Sequence, residues 1–578
     1  MRGLILIVNL DNLTHEHNEV LNTIAREIRA EYDRLIVNLS EEYIEDIHWV
    51  VGSIASRNKY NSPLFIRCCQ IVFVERLLSQ SDPVREILTG DRALAKVLQQ
   101  FCFDRNVTAT VVSCTESTKA RVWRILRPLR QYLIAIYFLG LRCLGSSFKA
   151  KRIISDAPIT LIDTFVLNNG GADEGSINNN GEYKDRYYPG LMEQLTEEEK
   201  SNIFYLPTIV GFKNPIKAFR LIRSSSSPFI IHDDYLKFSD YFLALNHPFK
   251  LLSCSLVNIK FYGVDIMPIL VEERLNHCSD FVSLLGILYH QFPLRLKEHG
   301  VKVRMLVEWY ENQVIDRAMI VGFHKHLPDT KVIGYQGYII SKSLHLYVYP
   351  NMSEYRSKAI PDIVYVVGEG LKEDLHEFCD EVVVASGPAF RFNKLWHDRA
   401  YNPDPNLFTI LVGLPIGLND CAHILKLLAS MLKNFKGTNI QFWIKPHPTY
   451  GFKSIKALLP GGWPREFIFQ EGDFHAVVER CNLLLSNASS VSLEAIAKGI
   501  PVIIVAPQNG VVQNPIPEGV SNDVWSIVYN SIELEVEIMR FKEFTTERKD
   551  FFDKLSLDVR KNYFNQVTRK NTLAFLEI

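Results

Sequence analysis

Short apolar, β-rich runs alternate with amphipathic helical segments along most of the 578-residue chain. The series is clearest near the C-terminus, where "FTILVGLPIG" (408–417) precedes the helical stretch "NDCAHILKLLASMLKNF". Later runs in the same series read "IQFWIKPHP", "NLLLSNASS" and "IPVIIVAP". Strand–helix alternation predicts parallel sheets covered by helices on both faces. We therefore expect one compact, doubly wound domain of ~140 residues in this part of the chain.

The N-terminal part carries similar signals. The runs "LILIVNL", "RLIVNL" and "PLFIRCCQIVFV" are predicted strands of a first α/β series, and "APITLIDTFVL" (157–167) continues it. A stretch rich in Asp, Asn and Pro near 386–407 separates the two series. We predict an N-terminal Rossmann-like domain (1–385), a C-terminal one (386–540) and helices (541–578) that cross back to the first. The first domain carries a basic helix (about 121–150) and a polar Gly/Asn-rich loop (168–190).

Charge and cysteine usage exclude several classes of protein. The net charge is −1 and the pI is near 7, so nothing in the overall charge indicates nucleic-acid binding. The ten cysteines show neither CxxC pairs nor zinc-ligand spacing, which is typical of reduced thiols in a cytoplasmic protein. No window of ~18–20 uncharged apolar residues occurs, so we predict no membrane span.

The basic segment reads "RVWRILRPLRQYLIAIYFLGLRCLGSSFKAKR" (121–152). Its apolar core is too short to span a bilayer, and Pro128 is predicted to open a helix. Apolar and aromatic residues flanked by arginines suit a helix that lies in an anionic membrane surface. The alternative is a helix buried in the core with snorkelling arginines.

Two prolines frame a histidine in "FWIKPHPTY" (442–450). Proline ends a strand, so the side chains of Lys445 and His447 should project past the sheet edge. There His447 is predicted to hydrogen-bond a phosphate or sugar-acid oxygen while Lys445 adds charge. The alternative is a turn with an incidental histidine. Gly413 in "VGLPIG" allows a ligand to approach the backbone ahead of a helix, although plain turn chemistry explains it as well.

A second polar turn follows in "SNASSVSLEAIAKGIPVI" (486–503). Small hydroxyl residues between a strand and a helix, with the free N–H groups of the helix, form a nest for a phosphate. The alternative is helix capping, although Ser490 and Glu494 are spaced one residue wider than a capping box. The residues predicted to bind the donor here are Ser486, Asn487, Ser489, Ser490 and Glu494.

The order of "KPHP" and, about forty residues later, "SNASS…LEAIAKGIPVI" resembles GT-B glycosyltransferases of bacterial surface carbohydrate synthesis. The nearest groups use cytidine-activated donors: Kdo transferases, sialyltransferases with HP and serine-pair motifs, and teichoic-acid polymerases that use CDP-glycerol. The midsection "EWYENQVIDRAMIVGF…KVIGYQGY" resembles uncharacterised surface-carbohydrate biosynthesis proteins. The resemblance covers roughly residues 300–525 and, more weakly, 157–250.

This resemblance implies α/β architecture of the GT-B type, with two Rossmann-like domains facing a cleft. It implies that His447 and Ser489/Ser490 bind a nucleotide-sugar donor, such as CMP-linked Kdo or sialic acid, with no cofactor and no metal. The acceptor would be a cell-surface glycan or a lipid-linked oligosaccharide. The chain lacks the acidic base motif of the sialyltransferases, which leaves the acceptor chemistry open.

A hydroxyl nucleophile needs a base, and the first domain should supply it. In "VEWYENQ", Glu308 and Glu311 follow a strand and open a helix. We favour Glu311 because it starts the helical pattern; the alternative is a carboxylate that only stabilises the helix dipole. Other residues are predicted to contact acceptor or sugar because each follows a strand or ends the polar loop: Asp185, Arg186, Gln336 and His232.

The sequence therefore predicts a GT-B glycosyltransferase that transfers a sugar from a nucleotide donor. Three alternatives remain: a CDP-polyol phosphotransferase, a sugar-nucleotide 2-epimerase, and a non-catalytic donor-binding subunit of a polysaccharide complex. We expect a cytoplasmic protein that the basic helix keeps at the inner face of the membrane.

Overall fold

The computed structural model describes residues 6–79, 84–113, 118–146, 157–168, 176–178, 181–340, 342, 345–397, 403–447, 449–472, 474–487, 489–547 and 549–578. Parts of the predicted polar loop (169–175 and 179–180), the end of the basic segment (147–152) and Pro448 lie outside these ranges.

Three parallel strands form a small sheet of their own at the N-terminus, in the order β1-β2-β3. The elements are β1 (Leu6–Asn9), α1 (His15–Glu27), α2 (Arg29–Ser40), α3 (Ile47–Val50), α4 (Ser53–Ser56), α5 (Leu64–Leu78), β2 (Val84–Thr89), α6 (Arg92–Asp104) and β3 (Thr110–Ser113). Two of the predicted strands are wrong, because "RLIVNL" lies in α2 and "PLFIRCCQIVFV" in α5. Since α5 is buried on most of its surface, its apolar run has no helical periodicity and resembles a buried strand.

A 28-residue helix, α7 (Thr118–Gly145), follows. It begins ten residues before Pro128, so the prediction that this proline opens the helix is wrong. Of the helices that the structure describes, none combines the length and apolarity that crossing a bilayer requires.

The second sheet has six parallel strands in the order β11-β10-β9-β8-β4-β5. Its strands are β4 (Ile159–Leu167), β5 (Ile203–Val210), β8 (Val303–Trp309), β9 (Lys331–Gln336), β10 (Ile363–Val366) and β11 (Val384–Ser386). Between β5 and β8 in the chain, β6 (Lys260–Phe261) and β7 (Val264–Asp265) form a separate two-stranded antiparallel sheet. The helices around it are α8 (Glu197–Lys200), α9 (Pro215–Arg223), α10 (Phe238–Leu245), α11 (His247–Ser253), α12 (Met267–His277), α13 (Phe281–Glu298), α14 (Val314–His326), α15 (Met352–Arg356) and α16 (Lys394–His397).

The third sheet also has six parallel strands, in the order β14-β13-β12-β15-β16-β17. They are β12 (Phe408–Gly413), β13 (Ile440–Lys445), β14 (Phe467–Phe469), β15 (Leu483–Ser486), β16 (Val502–Val505) and β17 (Trp525–Val528). The helices are α17 (Leu418–Met431), α18 (Phe452–Lys456), α19 (Phe474–Val478), α20 (Val491–Ala497), α21 (Ser531–Glu547), α22 (Lys549–Tyr563) and α23 (Arg569–Leu576). The boundary proposed near 386–407 falls between β11 and β12 and stays a prediction.

The last two helices contact the second sheet. The N–H of Asn565 donates to the carbonyl of Val367 at 2.7 Å, and the C-terminal Phe575 packs against the rings of Tyr335 and Tyr365. Gly368 makes this contact possible, because a Cβ there would meet backbone atoms of Tyr563 at 2.3–2.4 Å. These contacts join α22 and α23 to the carboxyl end of β10.

A network of buried charges joins the N-terminal sheet region to the second sheet. Arg57 donates to Asp33 at 2.9 Å and to Glu354 at 2.8 Å, and Arg317 forms an ion pair with Glu354 at 2.6 Å. All four side chains are buried. Because each buried charge has an opposite charge beside it, the two regions are held in a defined orientation.

Candidate active site

The third sheet has the strand order of a doubly wound, dinucleotide-binding type of fold. Numbered from β12, its six strands run 3-2-1-4-5-6, so the strand order reverses between β12 and β15. Ligands of such sheets bind outside the carboxyl ends of the strands at this switch point. Gly413 ends β12 and Ser486 ends β15, so the two predicted donor loops flank the switch point. His447 follows β13, two strands from β15 and therefore roughly 10 Å from it.

The second sheet has its own switch point. Numbered from β4, the strands run 6-5-4-3-1-2, so the order reverses between β4 and β8. Glu311 lies two residues beyond the end of β8, just outside the carboxyl edge at this place. The favoured base of the sequence analysis therefore lies where an α/β sheet binds its ligand.

The carboxylate of Glu311 is held by two neutral donors. Trp309 Nε1 donates to Oε1 at 2.9 Å, and Gln313 Nε2 donates to Oε2 at 2.5 Å. The Trp309 ring is itself fixed, because it is buried and fills the space beside Gly337, where a Cβ would meet the ring at 2.4 Å. Each carboxylate oxygen keeps lone-pair capacity for a further donor, such as a substrate hydroxyl.

A loop of the N-terminal region connects the two switch points. Tyr60 is exposed, lies near Glu311, and has its hydroxyl 3.4 Å from His345 Nε2. Partial desolvation of its hydroxyl and then the Glu311 charge raise the pKa of Tyr60, although most of the side chain is exposed. The neighbouring Lys59 is near Asp420 in the first turn of α17, and burial lowers its pKa to about 7 although Asp420 opposes this. The loop therefore lies between the base candidate and the donor side.

His447 is partly exposed and prepared to donate a hydrogen bond. Its Nδ1 accepts the N–H of Thr449 at 3.3 Å and lies 2.8 Å from the Thr449 hydroxyl. Burial and the charge of Lys445 lower the pKa of His447, so the ring is neutral near pH 7. With Nδ1 acting as acceptor, the proton of the neutral ring is on Nε2. Lys445 is buried beside Gly413, its partner in the β12–β13 register.

The serine turn divides into a structural and an accessible half. Ser486 and Asn487 are buried; the Ser486 hydroxyl lies 2.9 Å from that of Ser492, and Asn487 Nδ2 donates to the carbonyl of Val505 at 3.0 Å. These contacts hold the turn to β16 and α20. Ser489 and Ser490 are only partly buried, and Ser490 makes no side-chain capping bond to α20. The accessible hydroxyls for a donor are therefore those of Ser489 and Ser490.

Glu494 lies further inside. Its side chain is buried, and Oε2 is 3.6 Å from Nε2 of His475 on α19. This contact attaches α20 to α19, so Glu494 supports the turn from behind. Its predicted contact with the donor stays untested.

Glu308 does not face the cleft. It is buried on β8, and Asp163 lies beside it on β4, one residue beyond the paired Ile162 and Val307. Burial and the proximity of further carboxylates raise the pKa of both groups well above the ordinary range. Oδ1 of Asp163 and Oε2 of Glu308 are buried without a hydrogen-bond partner. Glu308 is thus a buried core residue whose raised pKa favours the neutral form, whereas a base for an acceptor needs an accessible carboxylate.

The residues predicted to contact the acceptor differ in how accessible they are. Asp185 accepts the N–H groups of Tyr187 and Tyr188 at 2.8 and 3.0 Å, so it holds the end of the polar loop, while Arg186 is partly exposed beside Tyr187. Gln336 is buried, donates to the carbonyl of Val348 at 3.1 Å, and lines a small cavity of ≈ 40 Å³.

His232 is fully buried, contrary to the exposed position that its site role requires. Its ring stacks on Tyr289 with centroids 4.1 Å apart, and burial and then Arg142 lower its pKa well below the usual value. A neutral core histidine of this kind has no accessible atom for a sugar. The polar sequence "HDDY" after an apolar run suggested exposure, but α13 covers it.

Three cleft residues escaped the sequence analysis. Lys59 and Tyr60 are in a helix–helix connection, "SRNKYNSP", which carries no motif. Arg391 is exposed and lies over the Trp309 ring at 5.8 Å from its centroid. The tertiary arrangement brings Tyr60 near Glu311, Lys59 near Asp420, and Arg391 over Trp309. Among the described residues no three His, Cys, Asp or Glu side chains converge as metal ligands would, and the predicted lack of a metal stays untested.

Two six-stranded parallel sheets, with donor loops and base candidate at their carboxyl edges, define an α/β protein with a GT-B-like fold. The predicted fold class is confirmed, with the three-stranded N-terminal sheet as an addition.

Comparisons with solved structures find matches of low identity and low TM-score. MurG from Acinetobacter baumannii has 11% identity and a TM-score of 0.37, covering 73% of this chain and 100% of that one. The lipopolysaccharide outer core galactosyltransferase WaaB has 12% identity and a TM-score of 0.39, covering 73% and 99%. A UDP-GlcNAc 2-epimerase from Neisseria meningitidis, bound to UDP-GlcNAc, has 11% identity and a TM-score of 0.38, covering 72% and 100%. No family model and no curated protein matches the sequence.

Proposed function

We propose that the protein is a glycosyltransferase that uses a nucleotide-sugar donor, with Glu311 as the base. One observation carries this proposal: Glu311 is held at the switch point of the second sheet, and the Lys59–Tyr60 loop links it to the first turn of α17 beside the switch point of the third. A base on one side of a cleft and phosphate-binding loops on the other suit attack by an acceptor hydroxyl on a bound donor.

In the proposed step, the acceptor oxygen forms a bond to the anomeric carbon. The bond between that carbon and the donor phosphate oxygen breaks, and the nucleotide leaves with the electron pair. The hydroxyl proton moves to Glu311. His447 Nε2–H and the hydroxyls of Ser489 and Ser490 donate hydrogen bonds to the leaving phosphate, and the charge of Lys445 lies behind them.

The donor proposed is CMP-linked, with Kdo or sialic acid as the sugar, because of the paired "KPHP" and "SNASS" motifs. The acceptor proposed is a surface glycan or a lipid-linked oligosaccharide at the cytoplasmic face of the membrane. A CDP-polyol phosphotransferase would use the same histidine and serines, and a sugar-nucleotide 2-epimerase would use UDP instead. A non-catalytic subunit would bind the donor without turning it over.

Nucleotide binding tests the donor side. In a thermal-unfolding screen of CMP, CDP, UDP, GDP and ADP, we expect CMP or CDP to stabilise most, by about 2.7 kcal/mol at 100-fold its Kd. His447→Ala should weaken that binding roughly 10- to 100-fold, since it removes a hydrogen bond to a charged phosphate. The control is His299→Ala, because His299 precedes β8 at the opposite, amino edge of the second sheet. Stronger stabilisation by UDP would contradict the cytidine donor.

Product analysis separates the alternatives. With CMP-Kdo or CMP-sialic acid, a transferase releases CMP and extends an acceptor, whereas a donor-binding subunit releases no CMP above the uncatalysed rate. Conversion of UDP-GlcNAc to its 2-epimer would identify an epimerase and overturn the proposal. Wild-type turnover by the His447→Ala variant would remove His447 from the catalytic step.

A further inference from the structure

The inward side of α7 buries both apolar and polar residues: Ala135, Leu139 and Cys143 pack in the core, and Arg142 is buried beside them. Arg142 binds Asp233 through two hydrogen bonds of 3.0 and 2.5 Å, and both side chains are buried. The hydroxyl of Tyr132 donates to the carbonyl of Leu245 at 2.9 Å. A helix on the surface of a globular protein ordinarily keeps apolar residues on its buried side and polar residues outside. Here large apolar residues such as Ile125 and Leu133 are also exposed, so the interpretation of this segment as a wholly buried helix is wrong.

The outward side of α7 is an apolar stripe. Its six members share one face of the helix at 3.6-residue spacing, and each is 38–65% exposed: Val122, Ile125, Leu129, Leu133, Ile136 and Tyr137. An open groove of ≈ 690 Å³ runs along this face. Phe249 on α11 is 61% exposed and meets the ring of Tyr132, which extends the surface to a second helix. An exposed apolar surface of this size marks a docking site.

The charged side chains of α7 and α11 themselves are all positive, whereas neighbouring elements bring Glu272 to 3.9 Å from Arg124 and Asp280 to within hydrogen-bond distance of Gln131. Between residues 118 and 145 the chain contains no Asp or Glu, and neither does α11. Arg127, Arg130 and Lys250 are exposed. Exposed cations beside an apolar surface complement an anionic membrane, where each cation near the surface contributes about 1 kcal/mol.

The stripe also lacks the groups that a specific protein partner needs. Protein interfaces carry about one hydrogen bond per 100–200 Å². Of the six side chains, only Tyr137 has a polar atom, whereas a lipid surface requires none. A 28-residue helix is roughly 42 Å long, so it can lie along a membrane over its whole length.

We propose that the outward face of α7, together with Phe249, docks on an anionic lipid membrane with the helix axis parallel to the surface. The apolar stripe enters the interface between headgroups and acyl chains, and Arg127 and Arg130 contact lipid phosphates. This proposal does not rest on glycosyl transfer, because membrane binding is measured without a donor.

Vesicle sedimentation of the full chain tests it. We expect binding to vesicles with about 30% phosphatidylglycerol, little binding to pure phosphatidylcholine, and at least about tenfold weaker binding in high salt. The combined variant Ile125→Gln, Leu129→Gln, Leu133→Gln should bind at least about tenfold more weakly than wild type.

The chain offers a matched control in α21. Ile532, Val536 and Met539 form another exposed apolar stripe, but acidic residues interleave it: Glu533, Glu535 and Glu537. The combined variant Ile532→Gln, Val536→Gln, Met539→Gln should bind vesicles like wild type. Three results would overturn the proposal: no binding of wild type to anionic vesicles, unchanged binding of the α7 variant, or equal binding to phosphatidylcholine. Dimers in solution that only the α7 variant abolishes would assign the face to a second copy of the chain.

Discussion

The indole of Trp309 donates a 2.9 Å hydrogen bond to the carboxylate of Glu311, the group that lies just outside the carboxyl end of β8. Because the indole is buried, it fixes one oxygen of a carboxylate that is itself only partly buried. A carboxylate fixed in this way loses little conformational entropy when it accepts a proton from a bound substrate.

Glu311→Gln should therefore lower kcat of sugar transfer by about 10²–10⁴ and leave KM for the donor nearly unchanged. The glutamine keeps an oxygen for the Trp309 bond but cannot take the proton, and its NH2 group no longer accepts from Gln313 Nε2. Circular dichroism should match wild type, and the lost hydrogen bond should lower the stability by only about 1 kcal/mol. The control is Glu197→Gln, because that side chain is 90% exposed in α8, ahead of the amino end of β5. If Glu311→Gln retains wild-type kcat, another group is the base.

The buried pair of Asp163 and Glu308 predicts a pH-dependent stability. Burial and neighbouring carboxylates raise the pKa of both groups in the folded state, so the folded protein binds more protons than the unfolded chain above about pH 4. Stability contributed by these groups is then lost as pH rises toward the folded pKa. Asp163→Asn removes one titrating group, and its amide can donate to the unpartnered Oε2 of Glu308.

At pH 8 we expect Asp163→Asn to unfold at a higher temperature than wild type. The corresponding gain in the free energy of unfolding is on the order of 1 kcal/mol. The difference should shrink toward pH 5, where both carboxyls of the wild-type pair are protonated. Thermal unfolding at pH 5, 6, 7 and 8 measures this, with the exposed Asp104→Asn as control. A difference that is the same at every pH would contradict the shared titration.

Breaking the Arg142–Asp233 pair should destabilise the whole second sheet region. Arg142→Met leaves Asp233 as a buried, uncompensated charge beside the hydroxyl of Tyr241, which donates to it at 2.9 Å. We expect a loss of about 3–5 kcal/mol in the free energy of unfolding. Denaturant unfolding measures it. Adding Asp233→Asn should recover most of the loss, since the amide oxygen still accepts from Tyr241; no recovery would show that Arg142 acts through packing alone.

The sequence was most informative where elements are local. The strand that ends in Lys445 and the turn after Ser486 were predictable, because each is an apolar run closed by Pro or by small polar residues. The helix α5 was not, since a run buried on most sides shows no periodicity. The order of the strands in each sheet could not be predicted from the sequence. The neighbours Asp163 and Glu308 are separated by 145 positions, so the sequence did not indicate that they form a pair.

The same limit explains the uneven outcome at the candidate site. His447 and Glu311 were found because each directly follows a strand, and in parallel sheets that position faces the ligand. His232 follows an apolar run as well, but packing by Tyr289 closes it off. Lys59 lies near Asp420 only because the N-terminal region packs against the rest of the protein, and no local sequence pattern predicts that packing.

Lys59 gives the most direct test of donor binding near this loop. Burial lowers its pKa from 10.5 in the unfolded chain to about 7, so the folded protein binds fewer protons than the unfolded chain between those values. At pH 8 most Lys59 amines are therefore neutral. A donor phosphate beside Lys59 would favour the charged form and raise its pKa, so binding should take up close to one proton per nucleotide at pH 8 and fewer at pH 6.

Calorimetry in buffers of different ionisation enthalpy measures the uptake. Lys59→Met should abolish it and weaken binding, whereas Lys96→Met, exposed on α6, should change neither. Binding without proton uptake at pH 8 would place the phosphates away from Lys59.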